Sequence, residues 1–240
     1  MAKKVFTMLE NNPAVMNQLA STLGLSPSLS FHDIYSLTDP DLLAFIPRPA
    51  LALLVIIPLT PTWNKARTTE DKDKGEYDGK GEEEPVIWFK QTIGNACGSI
   101  GLVHCLLNGE ASRYITPGST LDQIRKDALP KTMFDRAKVL EESDAFEEAH
   151  QEAAVLGDTL PETQDHLGQH FVAFVKGKDG HLWELEGARK GPLDRGPLGE
   201  DEDVLSAAAV ERGLGRLMRI ESENGGDLRF SATVLAESLE

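Results

Sequence analysis

The run Leu51-Ala52-Leu53-Leu54-Val55-Ile56-Ile57 is apolar at every position and turns β-branched toward its end. A strand with one wet face alternates polar and apolar side chains, so a run without alternation must be covered on both sides. Such a strand calls for a layered α/β (α+β) molecule with helices against a central sheet. At 240 residues the chain is long enough to supply those layers as one domain, spanning 1–240.

The flanking stretches carry local signals for the layers. Asn12-Pro13 sets a capping side chain before a proline at the first helical position, and Gly24 ends the helix whose inward stripe is Val15, Leu19 and Leu23. A short extended run, Phe31 to Leu37, precedes a brief helix over Leu42 to Phe45 that Pro47-Arg48-Pro49 stops. Further helices are expected over Leu121 to Leu129, Thr132 to Glu141, Asp144 to Ala154 and Asp203 to Ile220, the last with Leu205, Ala208, Leu214, Leu217 and Met218 inward. Leu228 to Leu235 reads as a closing strand. Residues 64–85 are rich in Lys, Asp, Glu and Gly with one aromatic, Tyr77, and are expected to form a mobile surface loop. Val86 to Phe89 resumes an extended course.

Lys and Arg number 24 against 39 Asp and Glu, a net charge of −15. That balance repels nucleic acid and anionic membrane and draws basic partners. No apolar run reaches membrane-spanning length, and Met1-Ala2-Lys3-Lys4 leads into no cleavable apolar region, so neither a membrane anchor nor a secretory signal is expected. The 2 cysteines make no disulfide framework and point to a reducing compartment, the cytoplasm with the nucleus also open. On one helix, Cys97 and Cys105 would stand roughly 12 Å apart, beyond bridging distance.

The chemistry concentrates around Cys97. Residues Phe89 to Leu107 read as the end of an extended lead, a turn marked by Gly94 and an apolar helix whose first turn carries the thiol, with Asn95 expected as its cap. A helix N-terminus favours thiolate over thiol. The thiol needs a base, and the base an orienting group. His104, two turns along the same helix and roughly 10.5 Å away, is too distant. His170 opens Phe171-Val172-Ala173-Phe174-Val175-Lys176, which Gly177-Lys178-Asp179-Gly180 turns back into His181-Leu182-Trp183-Glu184-Leu185-Glu186. Antiparallel pairing through that turn sets position 170 opposite 186 or 187, so Glu186 is expected beside His170. Gln91, at the end of the extended lead, can project an amide that joins the Cys97 N–H in an oxyanion hole. His166 and His170 also stand at the spacing of a zinc pair, but Gly168 lies between them, the adjacent glutamate is missing and a third ligand is wanting; no metal or other cofactor is expected.

Gln91-Thr92-Ile93-Gly94-Asn95-Ala96-Cys97-Gly98-Ser99-Ile100-Gly101-Leu102-Val103-His104, with His170-Phe171-Val172-Ala173 and Leu182-Trp183-Glu184-Leu185-Glu186-Gly187, closely resembles the ubiquitin C-terminal hydrolase family of cysteine peptidases, and the likeness extends over nearly the whole chain. The resemblance implies a papain-like single domain with a mainly antiparallel central sheet. It also implies thiol hydrolysis of the bond after ubiquitin's C-terminal glycine, with Cys97 as nucleophile, His170 as base and then acid, and Gln91 as oxyanion donor. The family's third member is an aspartate in a Glu-Leu-Asp-Gly run, where this chain has Glu186. Asp194 is an outside candidate for that orienting role. Residues 154–168 correspond to the family's loop crossing above the active site, which passes a flexible tail and excludes a bulky folded leaving group. Contacts with ubiquitin map to Met8, Leu9, Glu10, Asn11, Asn12 and Pro13, to Ala154, Val155, Leu156, Gly157 and Asp158, and to Asp227, Leu228, Arg229, Phe230, Ser231 and Ala232. The expected partner is ubiquitin, with ubiquitin-like modifiers an open alternative, and the expected state is a monomer. Glu186 leaves a second reading, a catalytically weak ubiquitin-binding module.

Overall fold

The computed structural model describes residues 4–157, 168–224 and 226–239. In chain order these form α1 (Pro13–Leu23), β1 (Leu29–Asp33), α2 (Pro40–Leu43), β2 (Ala52–Pro58), α3 (Pro61–Asp71), α4 (Cys97–Leu107), a 3-10 turn (Gly109–Tyr114), α5 (Thr120–Ala128), α6 (Met133–Glu141), α7 (Asp144–Ala154), β3 (Gln169–Lys176), β4 (His181–Leu185), β5 (Leu193–Pro197), α8 (Ala207–Arg212), α9 (Leu214–Glu223) and β6 (Ser231–Glu237). One sheet has the order β1-β6-β2-β3-β4-β5, and its neighbouring strands run antiparallel.

β2 lies at the middle and is buried at every position. Its side chains divide by parity: Ala52, Leu54 and Ile56 enter a core with α1, α4 and α7, while Leu53, Val55 and Ile57 enter a second core with Trp63, Leu214 and Leu217. Two apolar faces leave no polar position, which accounts for the unbroken run. Against the first face α4 packs closely enough that a Cβ on Gly101 would meet Leu54 Cδ1 at 2.8 Å.

Two expectations fail here. The single helix over 203–220 divides at Gly213 into α8 and α9. A Cβ there would lie 3.0 Å from the Ala209 carbonyl oxygen and 3.1 Å from the Phe174 ring, so the glycine admits close packing of the break on β3. The mobile loop over 64–85 is instead largely built. Thr60 caps α3 through the Trp63 N–H at 2.9 Å, with Pro61 at the helix's first position. Beyond α3, Tyr77 N–H donates to the Lys190 carbonyl at 2.9 Å. Buried Glu84 is paired with fully buried Arg136 of α6. Of the charged residues that suggested disorder, Arg67, Glu70, Asp71 and Glu84 are engaged in ion pairs.

Candidate active site

Cys97 is the first residue of α4, and Gly98 through Leu107 are buried behind it. The cap differs from expectation. Ala96 occupies that position without a side-chain bond, and Asn95 adopts the left-handed conformation, φ 58°, that makes the turn. The turn is held from outside by Phe6 N–H to the Gly94 carbonyl and Gly94 N–H to the Lys4 carbonyl, both 2.8 Å. The lead, residues 86–89, runs buried outside the sheet and is latched to α4. His104 Nε2 accepts from Phe89 N–H at 2.9 Å and Asn108 Oδ1 from Ile87 N–H at 2.7 Å. His104 is therefore a structural acceptor, neutral because burial pushes its pKa down to about 3.

His170 sits in β3 opposite Ile57 of β2, so the central strand fixes its backbone. Its Nε2 bonds Glu186 Oε1 at 2.6 Å, and Cys97 lies close enough to the ring for each to shift the other's titration. The register differs from expectation. Gly177 pairs with His181 (N–H to carbonyl 2.8 Å), which shifts the hairpin so that Ala173 faces Leu185 and the ladder stops there. Glu186 thus lies off the position opposite His170, and its long side chain spans the offset. Asp194, the other acid considered, bonds His181 Nδ1 at 2.9 Å and plays no part at His170.

Gln91 is tied to the same corner: its N–H donates to the Gly187 carbonyl at 2.8 Å, and a Cβ on Gly187 would lie 2.9 Å from Gln91 Cβ. Its Nε2 donates one hydrogen to the Ile93 carbonyl at 3.2 Å, while Oε1 is buried without a partner.

The electrostatics follow from these contacts. Burial works to raise the half-buried Cys97 thiol, yet the hydrogen bond and charge of His170, with the N–H groups of Phe171 and Gly98, outweigh it and bring the pKa below its ordinary value. Burial works to lower His170, and the bonds to Cys97 and Glu186 overcome it and raise the imidazole. Glu186 would likewise be raised by burial but is held low by His170, the Ala188 N–H and Arg67. These opposed shifts favour a thiolate–imidazolium pair.

Sequence reasoning missed α3's part in this site. Trp63 stands with its ring centroid 6.2 Å from that of His170, and the Arg67 guanidinium lies over Trp63 at 4.7 Å. Thr60-Pro61 was the available signal, an N-cap followed by a first-turn proline. Behind Cys97, buried Ser99 bonds His150 Nδ1, and His150 Nε2 donates to the Thr7 carbonyl at 2.8 Å. That chain joins α4, α7 and the N-terminal segment. Among the described residues no group of three or more His, Cys, Asp or Glu is placed to hold a metal, and His166 lies outside them.

A sequence profile of the family described as ubiquitin carboxyl-terminal hydrolase, family 1, matches residues 6–219. The chain belongs to that family. The ubiquitin carboxyl-terminal hydrolase 3 of Arabidopsis thaliana is 34% identical over 237 residues, covering 98% of this chain and 96% of the relative. The Homo sapiens isozyme L1 is 34% identical over 232 residues, covering 96% and 97%. The fold is similar to that of the Trichinella spiralis UCH37 catalytic domain, solved bound to ubiquitin vinyl methyl ester, with a TM-score of 0.74 at 18% identity, covering 100% of this chain and 98% of that one. The mixed fold with its antiparallel sheet is thus the papain-like one of this hydrolase family, and the chain is a cysteine-type enzyme.

The family resemblance also named three segments as contacts, and the structure places them side by side. Asn11 Nδ2 donates to the Ser231 carbonyl at 3.3 Å, and a Cβ on Gly157 would lie 3.1 Å from Glu10 Cδ. Within them Leu9 is buried, Asn12 caps α1 ahead of Pro13, and Asn11 accepts from Thr233 Oγ1, so these four serve the fold. Phe230 and Ala232 pack partly against the second core, and Asp227 pairs with Arg229. The exposed apolar side chains of the three segments are Met8, Val155, Leu156 and Leu228. Ala154 ends α7, Ser231 begins β6, and Asp158, with most of the expected crossing loop, lies outside the described residues.

Proposed function

We propose that this enzyme cleaves the bond after the C-terminal glycine of ubiquitin, releasing small adducts or short unfolded extensions through an acyl-enzyme on Cys97. The observation carrying the reading is the 2.6 Å bond from His170 to Glu186, beside a Cys97 at the first residue of α4 whose thiol His170 brings below its ordinary pKa. The Cys97 thiolate attacks the glycine carbonyl carbon, and the oxyanion that forms takes hydrogen bonds from the Cys97 N–H and from the Gln91 Nε2 hydrogen not donated to Ile93. The His170 imidazolium then passes its proton to the departing amine as the C–N bond breaks. Neutral His170 next accepts a proton from water, which attacks the thioester, and Cys97 leaves as thiolate. Glu186 orients the imidazole and stabilises its charged form throughout.

Met8, Val155, Leu156 and Leu228 supply an apolar patch for ubiquitin, and the −15 charge complements a basic partner. We place the enzyme in the cytoplasm or nucleus as a monomer, in keeping with its two free cysteines. The binding-only alternative drew its case from Glu186, and the 2.6 Å contact of that residue with His170 argues against it. Turnover of a fluorogenic ubiquitin C-terminal amide tests the reading. Hydrolysis that persists with a chelator and vanishes in Cys97→Ala is expected; retained ubiquitin binding without hydrolysis by the wild type overturns it.

A further inference from the structure

Glu186 is only half satisfied. Oε1 takes both of its hydrogen bonds, from His170 Nε2 at 2.6 Å and from the Ala188 N–H at 2.8 Å, whereas Oε2 is buried with no hydrogen-bond partner. A carboxylate at 1% exposure with a bare oxygen is costly unless a charge compensates it. The cation facing that oxygen is Arg67, with Nη1 at 4.0 Å from Oε2.

Arg67 does not stand there by chance of a flexible side chain. Its guanidinium lies 4.7 Å from the centre of the Trp63 ring one turn back on α3, and Asn64 Oδ1 accepts from its Nη2 at 3.3 Å. α3 is in turn fixed at both ends. Thr60 Oγ1 donates to Glu221 Oε1 of α9 at 2.6 Å, and Arg189 Nη2 donates to Glu70 Oε2 at 2.7 Å and Asp71 Oδ1 at 2.8 Å. The other ionisable groups around Glu186 are committed elsewhere or already counted. Lys90, on the lead to α4, gives its ammonium to the carbonyls of Ala188 at 3.1 Å and Arg189 at 2.6 Å. His104 of α4 is neutral and accepts from Phe89. His170 of β3 holds Oε1.

We propose that Arg67 is a positioning residue for the hydrolysis: stacked on Trp63, it faces the second oxygen of Glu186 and keeps that carboxylate ionised and oriented toward His170. The inference rests on the thiol-hydrolase reading. It also gives the longer acid a physical setting, since the oxygen not used by the imidazole is the one that meets α3. An opposite charge at such a distance moves a carboxyl pKa by about 1 unit or more.

The test compares wild type, Arg67→Gln and Arg67→Lys by two readouts against pH: turnover of the fluorogenic ubiquitin amide and alkylation of Cys97 by iodoacetamide. Cys105 is fully buried, so the alkylation reports Cys97. Removing the positive charge raises the pKa of both Glu186 and Cys97, so the acid limb of both profiles moves upward. For Arg67→Gln we expect a shift of about one pH unit and a loss of about tenfold in kcat with KM within about twofold. Arg67→Lys restores most of both. An unshifted acid limb in a folded Arg67→Gln, or a loss that Arg67→Lys leaves in place alongside a lowered Tm, overturns the proposal. Absence of wild-type turnover counts against the hydrolase reading alone, because the alkylation profiles still decide the role of Arg67.

Discussion

At Cys97 two influences oppose each other: burial, which favours the neutral thiol, and the His170 hydrogen bond and charge, which favour thiolate. The second prevails only while the imidazole stays protonated, and that depends on the carboxylate at 2.6 Å. Glu186→Ala should therefore lower kcat by roughly 10²-fold, whereas Asp194→Ala, which removes only the surface pair with His181, should leave it within about twofold. Steady-state turnover of the ubiquitin amide separates the two, and the reverse ranking contradicts the assignment. Cys97, His170, Glu186 and Gln91 were legible as residue types at a helix start, a strand end and a hairpin. The exact register was not, because a four-residue turn containing two glycines closes in several ways and the sequence does not say which residue starts the return strand. Arg67 was invisible for a different reason: its role exists only through a contact between elements far apart in the chain.

At the scale of elements, β2 and α1 could be read directly, one from its unbroken apolar run and the other from Asn12-Pro13 and Gly24. α3 could not. Its buried residues are Trp63 and Asp71, so it lacks the apolar stripe by which amphipathic helices are recognised. Besides Trp63, which enters the second core, ion pairs hold it: Arg189, nearly fully buried, joins Glu70 and Asp71 of α3 to Glu184 of β4. Removing one member of such a group leaves buried charge uncompensated. Arg189→Ala should cost about 3 kcal/mol or more, a fall in Tm of roughly 6–12 °C for a chain of this size, with faster amide exchange in α3 than elsewhere. A Tm within about 2 °C of wild type would show that α3 is held by other means.

At the scale of the whole molecule, two cores share one sheet, and buried histidines lie on its α4 face. Burial lowers His150 to about 4 and His104 to about 3, against an ordinary value near 6.5. The unfolded chain then binds protons that the folded one refuses, so the contribution of these two histidines is complete above about pH 6.5 and falls as pH drops toward 4. His170, raised to about 10 in the fold, runs the other way: its contribution is complete below about pH 6.5 and is lost as pH rises toward 10, so it adds little slope on the acid side. Urea midpoints measured across this window should decline with acidity, and His150→Gln should flatten the decline; a flat wild-type profile contradicts the burial argument. The layered plan was legible because composition and periodicity report on layers. The part of α3 in the site was not, because Trp63 and Arg67 meet His170 and Glu186 only through packing between elements far apart in the chain.

The central claim is that Cys97 attacks the carbonyl end of a bound ubiquitin tail. Ubiquitin ending in a vinyl methyl ester, a thiol acceptor at the position of the scissile carbonyl, tests it in one step. Intact-mass measurement should show one adduct on the wild type, peptide mapping should place it on Cys97, and Cys97→Ser should remain unmodified. Unmodified wild type, or an adduct carried on Cys105, would contradict the account.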